Sequence, residues 1–181
     1  VHPHDAKTLD EDVLLMIKSL AKKDKVQAIG EIGLEDLTDS EISVFERQLD
    51  IANETKSKVI IHTPRRNKRE VLKRILEIVP QHIEESQAVI DHINPEVVCD
   101  AIDSDCMLGL TVQPQKMDEF EAISILDEYG FDRFLLNSDI SNKPSDPLSV
   151  PKTVRELVRK GYENREIEKV SSLNAKEFFR L

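Results

Sequence analysis

At 181 residues, 39% hydrophobic and 33% charged, the chain has room for one domain with a sizeable core and the make-up of a soluble globular protein. It is short for a complete eightfold α/β barrel, which takes about 250 residues. Its net charge of −10 excludes broad, sequence-independent binding to nucleic acid, which relies on Lys and Arg to neutralise phosphates. The sequence opens Val1-His2-Pro3-His4 and reads as the middle of a longer fold. A helical pattern over 10–22 follows, then the apolar run 26–30, a helix over 40–56, a strand over 58–61 and a helix over 68–79. Next come a strand over 88–90, a helix over 95–102, a strand over 107–112, a helix over 116–129 and a last strand over 134–136. Helices over 150–160, 165–170 and 174–179 close the chain.

Short, β-branched strands alternating with amphipathic helices predict a parallel sheet covered by helices. A doubly wound sheet fits that alternation as well as a barrel does. Only five glycines are present, however, and neither the dinucleotide fingerprint nor a P-loop is among the motifs. Without an internal linker or low-complexity tract, residues 1–181 read as a single domain. No apolar run approaches the ~18 residues of a membrane span. Cys99 and Cys106 have neither zinc-ribbon nor redox spacing, which fits structural thiols in a cytoplasmic protein.

The chemistry sits where the strands end. Glu31 follows the first apolar run, His62 the second strand and Asp91-His92 the third, and the last strand runs through Asn137-Ser138 into Asp139. In a parallel α/β barrel the C-terminal strand ends share one mouth, so these side chains can meet although long stretches of sequence separate them. Imidazole and carboxylate suit zinc and similar divalent ions, and a bridging carboxylate is what a two-metal hydrolytic site requires. Taken singly, a histidine after a strand is more often a hydrogen-bonded structural residue, and a lone carboxylate there more often caps a helix. Spacing alone leaves the two readings balanced.

Local sequence tips that balance. Ala28-Ile29-Gly30-Glu31-Ile32-Gly33-Leu34-Glu35 resembles the GEIGLD block of the TatD family of metal-dependent hydrolases. Val1 to Ala6 is similar to that family's GxHPH block, and Phe45 to Ala52 to its following helix. Val59-Ile60-Ile61-His62 and Asp91-His92 match its next histidine strands. Asn137-Ser138-Asp139 stands where the family has ETDAP, and Asn174 to Phe179 resembles its NxxxLF helix. The variants around His62 and Asp139 look most like an archaeal branch.

The resemblance implies a parallel (β/α) barrel of TIM type, incomplete at its N-terminus, with about six of eight strands. It implies two divalent ions, Zn, Mn or Mg, in the intact family site. Glu31 would bridge them, His62 and His92 would complete the second position, and Asp139 would bind the first and orient or deprotonate the attacking water. The family's HxH pair on its opening strand has no counterpart here, which predicts weakened metal binding and little turnover. His2 and His4 mimic that pair, but their distance from Glu31 fits the third barrel strand, as substrate-side residues. Arg65, within the basic stretch Arg65-Arg66-Lys68-Arg69, is a candidate for phosphate binding, against the plainer reading of a solvated helix start. His82 is expected on the surface.

Two departures bear on activity: Thr63-Pro64 precedes Arg65, and Ile93-Asn94-Pro95-Glu96 replaces the Cys-Phe-Ser/Thr-Gly common in the family. The leading expectation is a metal-dependent hydrolase acting on a phosphoester, from a nucleic acid or a small molecule. An amide or lactone hydrolase, or an impaired barrel serving as a binding module, is the alternative. The missing strands predict an open sheet edge covered by a second copy or by the absent segment.

Overall fold

Parallel pairing of short apolar strands organises the chain. The computed structural model describes residues 1–141 and 144–181. It divides into two compact units: residues 1–90 with 103–106, and residues 91–102 with 107–181.

The first unit opens with a 3-10 helix, Pro3–Thr8, where a sixth strand was expected. Proline at its first position sets that turn, and the His2 Nδ1 caps it by accepting from the His4 N–H at 3.3 Å. Helix α1 (Glu11–Ala21), strand β1 (Ala28–Gly33), helix α2 (Asp39–Thr55), strand β2 (Lys58–His62), helix α3 (Lys68–His82) and strand β3 (Ala88–Ile90) follow. β1 pairs parallel with β2, and β2 with β3. α2 is well bounded, by the Thr38 hydroxyl accepting from the Glu41 N–H and by Lys56 in the left-handed conformation at its end. Its apolar face buries Phe45 and Leu49 completely, beside the fully buried Val59 and Ile61 of β2. Fully buried Gln48, also on α2, donates to the Val1 carbonyl at 3.1 Å and fastens the opening turn. His82 lies within α3, half-buried, and bonds Asp50 at 2.8 Å, so it is less exposed than expected.

The second unit holds helix α4 (Val98–Ala101), strand β4 (Met107–Thr111), helix α5 (Glu119–Tyr129), strand β5 (Phe134–Asn137) and helices α6 (Ser149–Lys160), α7 (Asn164–Glu168) and α8 (Asn174–Phe179). β4 and β5 pair parallel, from Leu108 with Phe134 to Thr111 with Asn137. α4 is shorter than the expected 95–102 because the Asn94 carbonyl accepts from both Val97 and Val98 N–H, forming a turn over Pro95 first. α5 begins late because Asp118 and Glu121 close a capping box. α7 runs through a π turn, Lys169–Leu173, into α8.

The buried Asn174 at the start of α8 donates to the carbonyls of Phe131 and Phe134, each at 2.8 Å, tying the last helix to the entry of β5. The family-like Asn of that helix is thus a fastener of backbone. Asn174→Ala leaves two buried carbonyls unpaired and should cost about 1–3 kcal/mol in urea unfolding. A cost within error of zero would show that the tie is unimportant.

The Tyr162 phenol, bonded to Asp127, is pushed up to about 12, by burial first and then by that carboxylate. Its neutral form is the one the fold favours, so its contribution is present below the ordinary phenol range and is lost as pH rises through about 12. A 295 nm titration should show this late step and lose it in Tyr162→Phe.

Candidate metal centre

Glu31 lies inside β1, not after it as the apolar run suggested. Register between β1 and β2 slips between Ile29 and Ile32, and both of those isoleucines are buried. Strict alternation would forbid that spacing. A bulge of this kind re-aims the side chains within it, and here it leaves Glu31 part-exposed between two core residues. Gly33, at φ +140°, lets β1 run against β2: a Cβ there would lie 2.6 Å from the His62 carbonyl oxygen.

His62, at the end of β2, sits between two carboxylates. Its Nδ1 is 3.1 Å from Glu31 and its Nε2 is 2.8 Å from Glu35. His2 stands 3.9 Å from Glu31 with its ring 4.6 Å from that of His62, and His4 is 3.5 Å from Glu35. Burial lowers the His2 pKa and the neighbouring His62 lowers it further, with Glu31 opposing, so the neutral, ligand-competent imidazole is favoured. Donor atoms of His2, Glu31 and His62 lie within 4.8 Å of one another. Ligands around one zinc-like ion, at bonds of about 2.0–2.2 Å, sit roughly 3–4 Å apart, so Glu31 and His62, at 3.1 Å, already stand at the spacing a divalent metal asks of two ligands. Glu35 is backed in turn by its own N–H, which donates to the buried Glu41 at 3.1 Å, as the Asp36 N–H does at 2.9 Å. Arg65 is exposed on the link after β2, while Lys68 is buried with its ammonium 2.8 Å from the Thr63 hydroxyl. The basic stretch is therefore only partly a solvated face.

In the second unit the carboxylate of Asp91 is a hub. Its Oδ1 accepts from the His92 N–H and from the Asn137 amide, each at 2.8 Å, and lies 3.2 Å from the Thr111 hydroxyl. Gly109 makes room for it: a Cβ there would lie 2.1 Å from that oxygen. The Thr111 hydroxyl also sits 2.7 Å from His92 Nδ1 and donates to Asn137 Oδ1 at 2.9 Å. A hydroxyl has one proton, and both Asp91 and Asn137 present oxygens that can only accept it. His92 Nδ1 must therefore carry its own proton toward Thr111, so that in the neutral ring Nε2 is the nitrogen with the lone pair. Backbone shape contributes as well. His92 (φ 63°) and Asp139 (φ 42°) are both left-handed, a conformation that turns each side chain out of the line of its strand.

Asp139 meets Lys116, whose ammonium is 2.5 Å from its Oδ2 and 3.3 Å from each ring nitrogen of His92. Glu31, His62 and His2 thus gather in one unit, and His92, Asp139 and Lys116 in the other. Glu35, Asp91, Thr111 and Lys116 were given no role in the sequence. Asp91 adjoins a marked histidine and Glu35 ends the GEIGLE block, but Thr111 and Lys116 carry no local signal.

Histidines braced by carboxylates and hydroxyls at the ends of parallel strands are the equipment of a metal-dependent hydrolase. The family model for TatD related DNase matches residues 1–180. An uncharacterized metal-dependent hydrolase of Methanocaldococcus jannaschii is 37% identical over 100% of this chain and 72% of its own length. The 3'-5' ssDNA/RNA exonuclease TatD of Dickeya dadantii is 24% identical over 99% of this chain and 75% of its own. The crystal structure of a TatD-like protein from Archaeoglobus fulgidus superposes with a TM-score of 0.73 at 34% identity, covering 92% of this chain and 66% of that one. The chain belongs to the TatD family of metal-dependent hydrolases. Its fold is the α/β type of that family, parallel strands with covering helices, and it spans about two thirds to three quarters of these relatives' length. Among the described residues no helix is long and apolar enough to cross a membrane.

Thr111→Val keeps the shape and removes the hydroxyl shared by His92, Asp91 and Asn137. It should cost about 1–3 kcal/mol of stability. Metal affinity should fall by roughly 10–100-fold, because the His92 ring loses the partner that fixes its tautomer. Isothermal titration with Zn²⁺ on a folded variant measures this, and unchanged affinity would remove His92 from the centre.

Proposed function

We propose that residues 1–181 act as one TatD-type hydrolase domain that cleaves a phosphoester bond. Glu31, His62, His92 and Asp139 hold divalent metal, and Asp139 also acts on the attacking water. The observation that carries this reading is the pairing of a strand-end histidine with a carboxylate, His62 with Glu31 at 3.1 Å, together with the bracing of the other strand-end histidine, His92, by the Thr111 hydroxyl. Imidazoles held in one tautomer by carboxylate or hydroxyl partners are suited to ligation in a way that freely rotating surface histidines are not. The exonuclease relative supports the phosphoester over an amide or lactone substrate.

A bound divalent ion supplies Lewis acidity toward a phosphoryl oxygen and makes water a nucleophile near neutral pH. The chain's own groups supply the rest. Asp139 orients the water and accepts its proton at a carboxylate oxygen. His2 and His4, beside Glu31 and Glu35, meet the substrate's oxygens, and the exposed Arg65 draws in its phosphate.

Hydrolysis of bis(p-nitrophenyl) phosphate and of a 3'-labelled single-stranded oligonucleotide in added Mn²⁺ tests the reading. Asp139→Asn should lower kcat by roughly 10²–10⁴-fold, the usual worth of a positioned general base. Glu31→Gln should lower both metal content and rate. Lactone turnover without phosphodiester turnover would overturn the substrate class, and rates indifferent to chelation would overturn the metal.

A further inference from the structure

Lys116 stands on a turn that the fold anchors tightly. The Gln113 side chain donates to the backbone carbonyls of Ser138, at 3.4 Å, and Asp139, at 2.5 Å. An isolated antiparallel bridge joins Gln113 to Met117, the Lys116 N–H donates to the Gln113 carbonyl at 3.0 Å, and Gln115 turns the chain at φ 69°. The turn is thus tied to the end of β5, and its lysine side chain is only 12% exposed. The ammonium reaches Asp139 Oδ2 at 2.5 Å and lies 3.3 Å from both ring nitrogens of His92. A cation that is mostly shielded from water is therefore held against a carboxylate and an imidazole, the two groups that a divalent ion would need.

We propose that Lys116 and the divalent metal compete for Asp139 and His92, so that Lys116 sets the metal affinity of this chain. The proposal rests on the reading of those two residues as ligands. An ammonium offers only donors, and its charge-assisted bond to Asp139 must be given up before that oxygen can enter an ion's shell at about 2.0–2.2 Å. Two cations sharing one carboxylate also repel. The displaced ammonium has somewhere to go. Lys116 lines a cavity of about 410 Å³ that also includes Asp118 and Glu121, and these carboxylates can accept it. Because it opposes the ion, Lys116 differs in sign from every other residue of the centre: removing it should strengthen metal binding.

Isothermal titration of the full chain with Zn²⁺ reads the effect directly. Lys116→Met should bind the ion roughly tenfold or more tightly, the scale of one lost charge-assisted hydrogen bond. Lys116→Arg, which keeps the charge, should stay within a few-fold of the parent. Equal or weaker binding by Lys116→Met overturns the proposal and makes the lysine a support of Asp139. Lys116→Gln serves as a second neutral variant if Met impairs folding, as judged by circular dichroism. Asp139→Asn separates the two layers of inference. If it leaves Zn²⁺ affinity unchanged in the parent, the ligand reading itself fails. If it weakens binding but Lys116→Met brings no gain, only the competition fails. Within the Asp139→Asn background the gain from Lys116→Met should shrink, because the coupling runs through that carboxylate.

Discussion

The second unit is organised around one acceptor. Asp91 Oδ1 takes hydrogen bonds from the backbone of His92 and from Asn137 at the end of β5, and the Thr111 hydroxyl at the end of β4 lies 3.2 Å from it. Each donor comes from a different segment, so one carboxylate sets the mutual position of two strand ends and the histidine that follows β3. The arrangement works only because Gly109 leaves the space, and it is cooperative. Asn137 gives a proton to Asp91 and takes one from Thr111, which in turn receives one from His92. Loss of any member strands another in a half-buried setting, where an unmade hydrogen bond is costly.

The first unit solves the same problem with charge. His62 lies between the carboxylates of Glu31 and Glu35, and Glu35 is itself held through the N–H groups of Glu35 and Asp36 on the buried Glu41. Glu41 belongs to the first turn of α2, where a negative charge is favoured by the unpaired N–H groups of the helix start. A helix cap is thereby linked to the orientation of a strand-end histidine. Packing, capping and site geometry are one chain of contacts here.

Much of this was legible in the sequence, for identifiable reasons. The runs 58–61, 88–90 and 134–136 are short, apolar and β-branched or leucine-rich, and they became β2, β3 and β5 within a residue at each end. β1 was misjudged at its end, because a bulge has no composition of its own and Glu31 interrupts the apolar pattern just where the strand continues. The histidines stood out by residue type. Their supports did not: Thr111 looks like any β-branched strand residue, and Lys116 like any surface lysine. What makes them matter is a strand register in one case and the tether of Gln113 to the end of β5 in the other. Neither constraint is local in sequence.

The left-handed backbones of His92 and Asp139 have a consequence for how such positions change over time. Among residues with a side chain, Asn, Asp and His tolerate this conformation best, whereas β-branched residues are strongly disfavoured. Those tolerant types largely coincide with the residues that can bind a cation through oxygen or an imidazole. The main chain therefore filters substitutions before chemistry does, and the variants it admits most easily are Asn and Gly. A descendant that had abandoned catalysis would keep polar or bare positions at these two strand ends, so its lineage would stay readable there after its activity had gone.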